Sequence, residues 1–408
     1  VKNFMPKRIT SNLFLTRLIE AFFGKGSYIV FTLIFSIVTT RLYGAEIFGK
    51  YSYAFTLVSL LMVVAKFGMD TGFVYSIPRN KNKHISMGFL VNLLMSIVLI
   101  CTGLLFTNDY FVKIMLPLIW CLSIEQLFFG IYRSKGEIKK YFFVNGFLAM
   151  LLRIFLVLVF YFLTGKNPFS IAIAVYISFI FSITVYFFQN KSNFKRIVLD
   201  KDFLKYSFPL LFSGILGTLI GKTDILMIGN MLTNRDVGIY QIILQLSNSV
   251  AILLVVFNTV FAPQISTLYH EQRHEDMKQL YIKTTRLLAI VSFLITLTLI
   301  LGNAFFLNVF GTEFIEGDNA LIFRSIGQFI NISVGGVWIM LSMTGAPHFQ
   351  MYSNFGALTI NIVLNLLLIP KYGISGAAFA SMITIIVTNA IGYILVSRKF
   401  KIKVFKFF

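Results

Sequence analysis

Residues 206–231 read YSFPLLFSGILGTLIGKTDILMIGNM, a run long and apolar enough to cross a bilayer that nonetheless carries Lys222 and Asp224. A charge at mid-membrane costs roughly 2.5–3.5 kcal/mol on insertion scales, so it is kept only where it has a partner or a use. Working outward from this stretch, Lys25, Lys66, Arg153 and Arg324 occupy comparable apolar runs, against the acids Glu20, Asp70, Glu125 and Asp224. The excess is positive, and it points to a cavity that receives an anion.

The whole chain shares this character. Of 408 residues, 57% are hydrophobic and 13% charged, with 46 Phe, and the mean hydropathy is +0.81. A soluble domain carries about 25% charged residues, so the composition is that of a polytopic membrane protein. The net charge of +20 does not indicate nucleic acid, because most cations sit in short clusters between apolar runs, where they act as topology determinants beside anionic lipid. Cys101 and Cys121 fall in apolar segments without ligand spacing and read as packing residues. The start, VKNFMPKRITSNLF, lacks a small-residue cleavage pattern and leads into a run too long for a signal segment, so it is expected to be a retained first span.

Windows of about 20 apolar residues give twelve spans, near residues 14–40, 51–77, 85–107, 110–132, 141–163, 168–189, 206–231, 237–262, 284–310, 319–345, 349–369 and 374–397. Assigning Lys and Arg to alternate sides places 25 on one side and six (Arg41, Lys50, Lys113, Lys166, Arg235, Lys371) on the other. By the positive-inside rule both termini are cytoplasmic. The outer loops are then short and leave little room for the catalytic groups of an enzyme, and none is expected. In the cytoplasmic connection 263–283, Ile265, Leu268, Met277, Leu280 and Tyr281 recur at helical spacing between charges, which predicts an amphipathic helix lying on the inner leaflet.

The two halves echo each other at an offset of 189 residues. Leu42…Glu46-Ile47-Phe48-Gly49-Lys50-Tyr51 corresponds to Met231…Arg235-Asp236-Val237-Gly238-Ile239-Tyr240, each an outer turn between the first two spans of a half. A parallel repeat follows: an N-terminal six-helix bundle (1–190), a basic cytoplasmic linker (191–205) and a C-terminal six-helix bundle with a basic tail (206–408), all α, with a site between the bundles. Thr40-Arg41-Leu42-Tyr43-Gly44-Ala45-Glu46-Ile47-Phe48-Gly49-Lys50-Tyr51, Phe67-Gly68-Met69-Asp70, Lys222-Thr223-Asp224-Ile225-Leu226-Met227-Ile228-Gly229 with Val237-Gly238-Ile239-Tyr240, and Ile369-Pro370-Lys371-Tyr372-Gly373-Ile374-Ser375-Gly376-Ala377-Ala378 resemble, in order and over nearly the whole chain, the polysaccharide-transporter (Wzx-type) flippases of the multidrug/oligosaccharidyl-lipid/polysaccharide (MOP) superfamily. The resemblance implies a two-bundle fold in the bacterial cytoplasmic membrane that exposes a central cavity alternately to each side. It implies outward movement of undecaprenyl-diphosphate-linked oligosaccharide for O-antigen, capsule or exopolysaccharide, with membrane lipids and other polysaccharide assembly proteins as partners. Some relatives carry fourteen spans where this reading gives twelve.

On one helix only i,i+3 and i,i+4 neighbours share a face, so Lys66 with Asp70 and Arg17 with Glu20 are expected to neutralise each other. Lys25, Arg153, Lys222 and Arg324 have no acid at those spacings, Asp224 lies on nearly the opposite face from Lys222, and Glu125 is alone in its span. The surplus of about two charges matches a diphosphate, which cationic groups bind through charge-assisted hydrogen bonds. Lys25, Arg153, Lys222 and Arg324 are therefore the expected substrate contacts, with snorkelling to the outer headgroups a rival reading for Arg324. Asp224 and Glu125 are expected as counter-ions, or else as sites for a coupling proton or sodium ion.

His270-Glu271-Gln272-Arg273-His274 matches HExxH, but Arg273 and Lys278 crowd it with positive charge and no third ligand follows, so a solvated amphipathic helix is the expected reading rather than zinc. The remaining histidines, His84 and His348, stand isolated at span edges. Nucleotide-binding, nucleophile-elbow and paired-cysteine patterns are absent from the sequence, and no cofactor is expected. A drug or cation exporter of the same superfamily is the closest alternative and would prefer acids in the cavity. An integral glycan polymerase or acyltransferase is the alternative from another class.

Overall fold

A computed structural model describes residues 11–79, 83–194, 197–402 and 404, with side chains at 11–25, 83, 252, 256, 259 and 260 outside that description. Among the described residues every regular element is helical, as a bilayer demands of a chain that must satisfy its own backbone hydrogen bonds. The helices are α1 (Ser11–Ala65), α2 (Met69–Ser76), α3 (Lys83–Phe106), α4 (Tyr110–Met115), α5 (Leu118–Lys135), α6 (Ile138–Phe142), α7 (Met150–Thr164) and α8 (Pro168–Asn190). After a connection through 191–200 come α9 (Lys201–Met231), α10 (Asn234–His270), α11 (His274–Leu301), α12 (Asn303–Asn308), α13 (Asp318–Ser333), α14 (Val337–Met343) and α15 (His348–Phe400).

The starts are set by side chains that satisfy otherwise orphaned N–H groups. The Asp109 carboxylate accepts from Phe111 N at 2.7 Å and Val112 N at 3.3 Å. Asn167 accepts from Phe169 N at 3.0 Å, with Pro168 at the first helical position. Thr233 and Asp236 form a reciprocal capping box at the start of α10.

Ten helical segments among the described residues are long and apolar enough to cross a membrane. Two of them are broken within. At 1.5 Å per residue, α1 and α15, with 55 and 53 residues, would each extend about 80 Å, more than twice the hydrocarbon thickness. Each contains one glycine with non-helical backbone, Gly44 (φ 85°, ψ 170°) and Gly373 (φ 56°, ψ −139°), where the chain reverses. Positive φ is what glycine supplies without a Cβ clash.

Two expectations are corrected here. The connection 263–283 is not a helix lying on a leaflet: α10 runs to His270, a turn through Glu271–Arg273 with Gln272 at φ 59° reverses it, and α11 starts at His274. Ile265, Met277 and Tyr281 are buried in one apolar core, which is why their helical spacing resembled an amphipathic surface pattern. The same turn divides the HExxH sequence between two helices, so His270 and His274 do not share a face. His84 is not isolated either. Its ring is buried, lies 3.0 Å from the Asp200 carboxylate and stacks on Phe203 at 4.3 Å, tying α3 to the start of α9.

Residues 11–190 and 201–400 meet chiefly where α1 and α2 pack on α9 and α10. At the Gly44 end a single apolar core joins the two, with Phe48, Tyr51 and Ala54 of α1 beside Val237, Tyr240 and Ile243 of α10. The opposite end has two cores, one around Phe73, Phe128 and Tyr186 that also takes in Phe203 at the start of α9, the other around Phe261, Tyr281 and Val337 within the second half. The joined end is fixed by a backbone crossing of the two echo glycines. A Cβ on Gly49 would lie 1.6 Å from Asn234 O, and one on Gly238 2.2 Å from Ala45 O. Around the crossing, Arg41 Nε donates to Val309 O at 2.9 Å, Ala45 N donates to Glu313 Oε1 at 2.7 Å, and Arg235 bonds Glu316 at 2.6 Å.

Gly49→Ala and Gly238→Ala should each lower the unfolding temperature of the detergent-solubilised protein, since overpacking costs about 1–3 kcal/mol. Gly356→Ala, at a helical glycine with nothing within 4 Å, should be neutral or gain up to ~1 kcal/mol of helix propensity. Thermal unfolding curves check this; three indistinguishable variants would mean the crossing is not tight.

Candidate functional site

Asp224 sits on α9 in a knot that no local spacing reveals. Its Oδ2 accepts from Tyr240 Oη at 2.6 Å and from Ser381 Oγ, and its Oδ1 accepts from Asn365 Nδ2 at 2.9 Å and Asn361 Nδ2 at 3.1 Å. Arg324 of α13 approaches the same carboxylate at 3.7 Å. Asp224 is 5% exposed and Arg324 7%, so this is a buried ion pair whose desolvation is offset by a full set of donors on the acid. Arg324 does not snorkel to a surface.

A second polar cluster lies among residues 28–182. Arg153 of α7, 6% exposed, donates from Nε to Ser178 Oγ of α8 at 2.9 Å, and its guanidinium lies 4.7 Å from the Phe179 ring centroid and 5.9 Å from that of Phe35. Glu125 of α5 is buried, accepts from Ser182 Oγ at 2.9 Å and from Asn145, and lies within electrostatic reach of Arg153. Tyr51 also feels the Arg153 charge. Its repeat equivalent is Tyr240, the hydroxyl that holds Asp224, so each Gly-x-Tyr echo delivers a tyrosine to a buried charge cluster.

Arg153 and Arg324 thus stand in separate clusters, one in each half of the chain. Lys66 and Asp70 pair at 2.8 Å as expected, though across the turn between α1 and α2 rather than along one helix; the side chains of Arg17 and Glu20 lie outside the described residues. Lys25 belongs to α1, but its side chain too lies outside the described residues. Lys222 is half-buried on α9, and desolvation alone acts on it: among the described residues it has no hydrogen-bond or ion-pair partner.

Beside the Asp224 knot is a polar cavity of about 280 Å³ bounded by α9, α10, α13, α14 and α15. A chain of amides runs along it: Asn389 Nδ2 donates to Asn331 Oδ1 at 3.2 Å, Asn331 Nδ2 to Gln328 Oε1 at 3.2 Å, and Gln328 Nε2 to Asn248 Oδ1 at 2.9 Å. Sequence reading missed these residues and the donors around Asp224, because it weighed only charges. The available signal was Asn361 and Asn365, amides at i,i+4 in the apolar run TINIVLNLLL, which by helical spacing share one face. No group of three or more His, Cys, Asp or Glu among the described residues could hold a metal ion.

Comparison with known proteins agrees with this architecture. A family described as "Polysaccharide biosynthesis protein" matches residues 24–269, and the MatE family matches residues 209–367. The capsular polysaccharide biosynthesis protein CapF of Staphylococcus aureus is 24% identical over 366 residues, covering 85% of this chain and 90% of CapF. Among solved structures, the inward-facing conformation of a multidrug resistance MATE family transporter of the MOP superfamily superposes with a TM-score of 0.74 at 13% identity, covering 92% of this chain and 94% of that one. An outward-facing conformation of such a transporter gives a TM-score of 0.64 at 12% identity, with 95% of each chain covered. With more than half of its length matched, the chain belongs to the polysaccharide biosynthesis protein family of multi-pass membrane transporters and has the MOP-superfamily fold.

Proposed function

We propose that the protein is a flippase that carries undecaprenyl-diphosphate-linked oligosaccharide from the inner to the outer leaflet of the bacterial cytoplasmic membrane by alternating access, feeding synthesis of a surface polysaccharide. The observation that carries this reading is Lys222, a half-buried cation within a membrane-length helix that has no hydrogen-bond or ion-pair partner among the described residues. A buried cation without a partner is costly to maintain unless a ligand supplies the missing anion. Lys222 lies on α9, one of the two helices through which residues 201–400 meet α1, and Lys25 lies on α1 itself. The diphosphate is proposed to bind between them.

Twelve spans in two six-helix bundles are supported by the ten membrane-length helical segments together with the reversals at Gly44 and Gly373. With both termini cytoplasmic, the joined Gly49/Gly238 end faces outward, and at the other end α10, α11, α14 and α15 keep a core apart from residues 11–190, which supports a site open to the cytoplasm. The higher superposition score with an inward-facing relative than with an outward-facing one favours the same state. Transport would then require the Arg41–Val309 and Ala45–Glu313 contacts between the halves to part while the cytoplasmic ends close.

Arg153 and Arg324 are proposed to join the anion later in the cycle, exchanging their present partners for phosphate oxygens. Glu125 and Asp224 serve as their counter-ions, and these acids are also where a proton or sodium gradient would couple. A drug or cation exporter would need a carboxylate open to its substrate. Asp224 is occupied by four neutral donors and an arginine, which favours the anionic substrate.

Lys222→Ala should reduce translocation of a lipid-linked oligosaccharide in proteoliposomes at least about tenfold, the loss expected for one charge-assisted hydrogen bond worth roughly 1.5–3 kcal/mol, while Lys222→Arg keeps most of it. Full activity of Lys222→Ala at normal protein levels would sink the anion site. Arg324→Ala should destabilise the folded protein by about 3–5 kcal/mol, because it strands a buried carboxylate. Asp224→Ala with Arg324→Ala should recover part of that loss in the same unfolding assay.

A further inference from the structure

We infer that the amide-lined cavity among α9, α10, α13, α14 and α15 is a subsite for one neutral sugar ring of the transported oligosaccharide. The inference deepens the flippase reading and rests on it. At roughly 30 Å³ per water, a space of about 280 Å³ holds about nine waters, or one hexose with a few waters retained.

The lining is richer in hydrogen-bonding capacity than its internal bonds consume. Each primary amide has two N–H donors and two carbonyl lone pairs, and each link of the Asn389, Asn331, Gln328, Asn248 chain uses one donor and one acceptor site. Donors and acceptors are therefore left over along the same wall. Two lining residues each also carry a polar atom without a partner among the described residues: Arg324 at Nε, on a side chain more than nine-tenths buried, and Ser353 at Oγ. Placing this much amide at membrane depth without a ligand carries a desolvation cost that apolar residues of similar size would avoid.

The type of ligand follows from charge and geometry. The only charged side chains in the lining, Asp224 and Arg324, neutralise each other, so the cavity has no net charge to offer an anion. A metal ion would have to sit beside the Arg324 guanidinium, and the one carboxylate that could attract it, Asp224, is already filled with donors. Hydroxyl groups, which donate and accept at once, suit such a mixed wall. Trp338 supplies the flat apolar surface that the C–H face of a pyranose covers. Its ring is backed by Gly392, where a Cβ would lie 3.0 Å from Trp338 Cζ2.

Trp120 and Trp338 are the only tryptophans in the chain, so Trp120→Phe leaves Trp338 as the sole reporter. Titrating that protein in nanodiscs with glucose, galactose, N-acetylglucosamine and glucuronate, in sodium and in choline buffer, should give a saturable fluorescence change with at least one neutral sugar. The change should be insensitive to the cation and weakened at least about tenfold in Gln328→Leu and Asn331→Leu. Should those variants fail to fold, Asn354→Ala, a half-buried position in the same lining, should give the same weakening. No response to any neutral sugar, a response to sodium alone, or tighter binding of glucuronate would each overturn the subsite. Wild-type translocation of lipid-linked oligosaccharide by Gln328→Leu would overturn it while leaving the flippase reading intact. Sugar binding by a protein that translocates no glycolipid would instead count against the flippase.

Discussion

The crossing of Gly49 over Gly238 is the constraint on which the arrangement of this molecule depends. Two helices pass with backbone against backbone, closer than any side chain allows, and the contact forms where the two halves carry the same Gly-x-Tyr sequence. At that end the halves share one large core, while at the other α2 and α3 hold the start of α9 through Phe73, His84 and Phe203, and α10, α11, α14 and α15 keep a core of their own. The tyrosine two residues beyond each glycine is turned inward toward a buried charge cluster by the same geometry. The contact between the halves and the polar interior are thus tied to one recurring Gly-x-Tyr turn.

Charge in the interior is distributed by the same logic. Arg324 and Asp224 come from helices one hundred residues apart in the sequence and meet in a shell of Tyr, Ser and Asn donors. Arg153 is held by a serine and two aromatic rings, with Glu125 nearby. Such shells make buried ions tolerable by replacing water with fixed dipoles. Lys222, half-buried on α9, has no such shell among the described residues.

Some features were legible from the chain alone for simple reasons: twenty-residue apolar runs must be helices in a bilayer. Lys66 and Asp70 do pair, but across a turn in which Phe67 and Gly68 at positive φ break the helix that their spacing assumed. The His270–His274 pattern and the 263–283 periodicity misled because spacing assumes an unbroken helix, and Gln272 in the left-handed region breaks it. The pairing of Arg324 with Asp224 was hidden because each looks unpaired among its own helical neighbours.

Sequence by itself determined that this protein is a helical membrane protein with charges inside its apolar runs and a Gly-x-Tyr sequence recurring 189 residues apart, since hydropathy, charge placement and local spacing are properties of adjacent residues. Tertiary structure alone decided which cations are neutralised, where the halves touch, and that amides on three helices surround a common cavity. Those outcomes depend on which helix faces meet across the membrane, and a face acquires its chemical meaning only from the face packed against it.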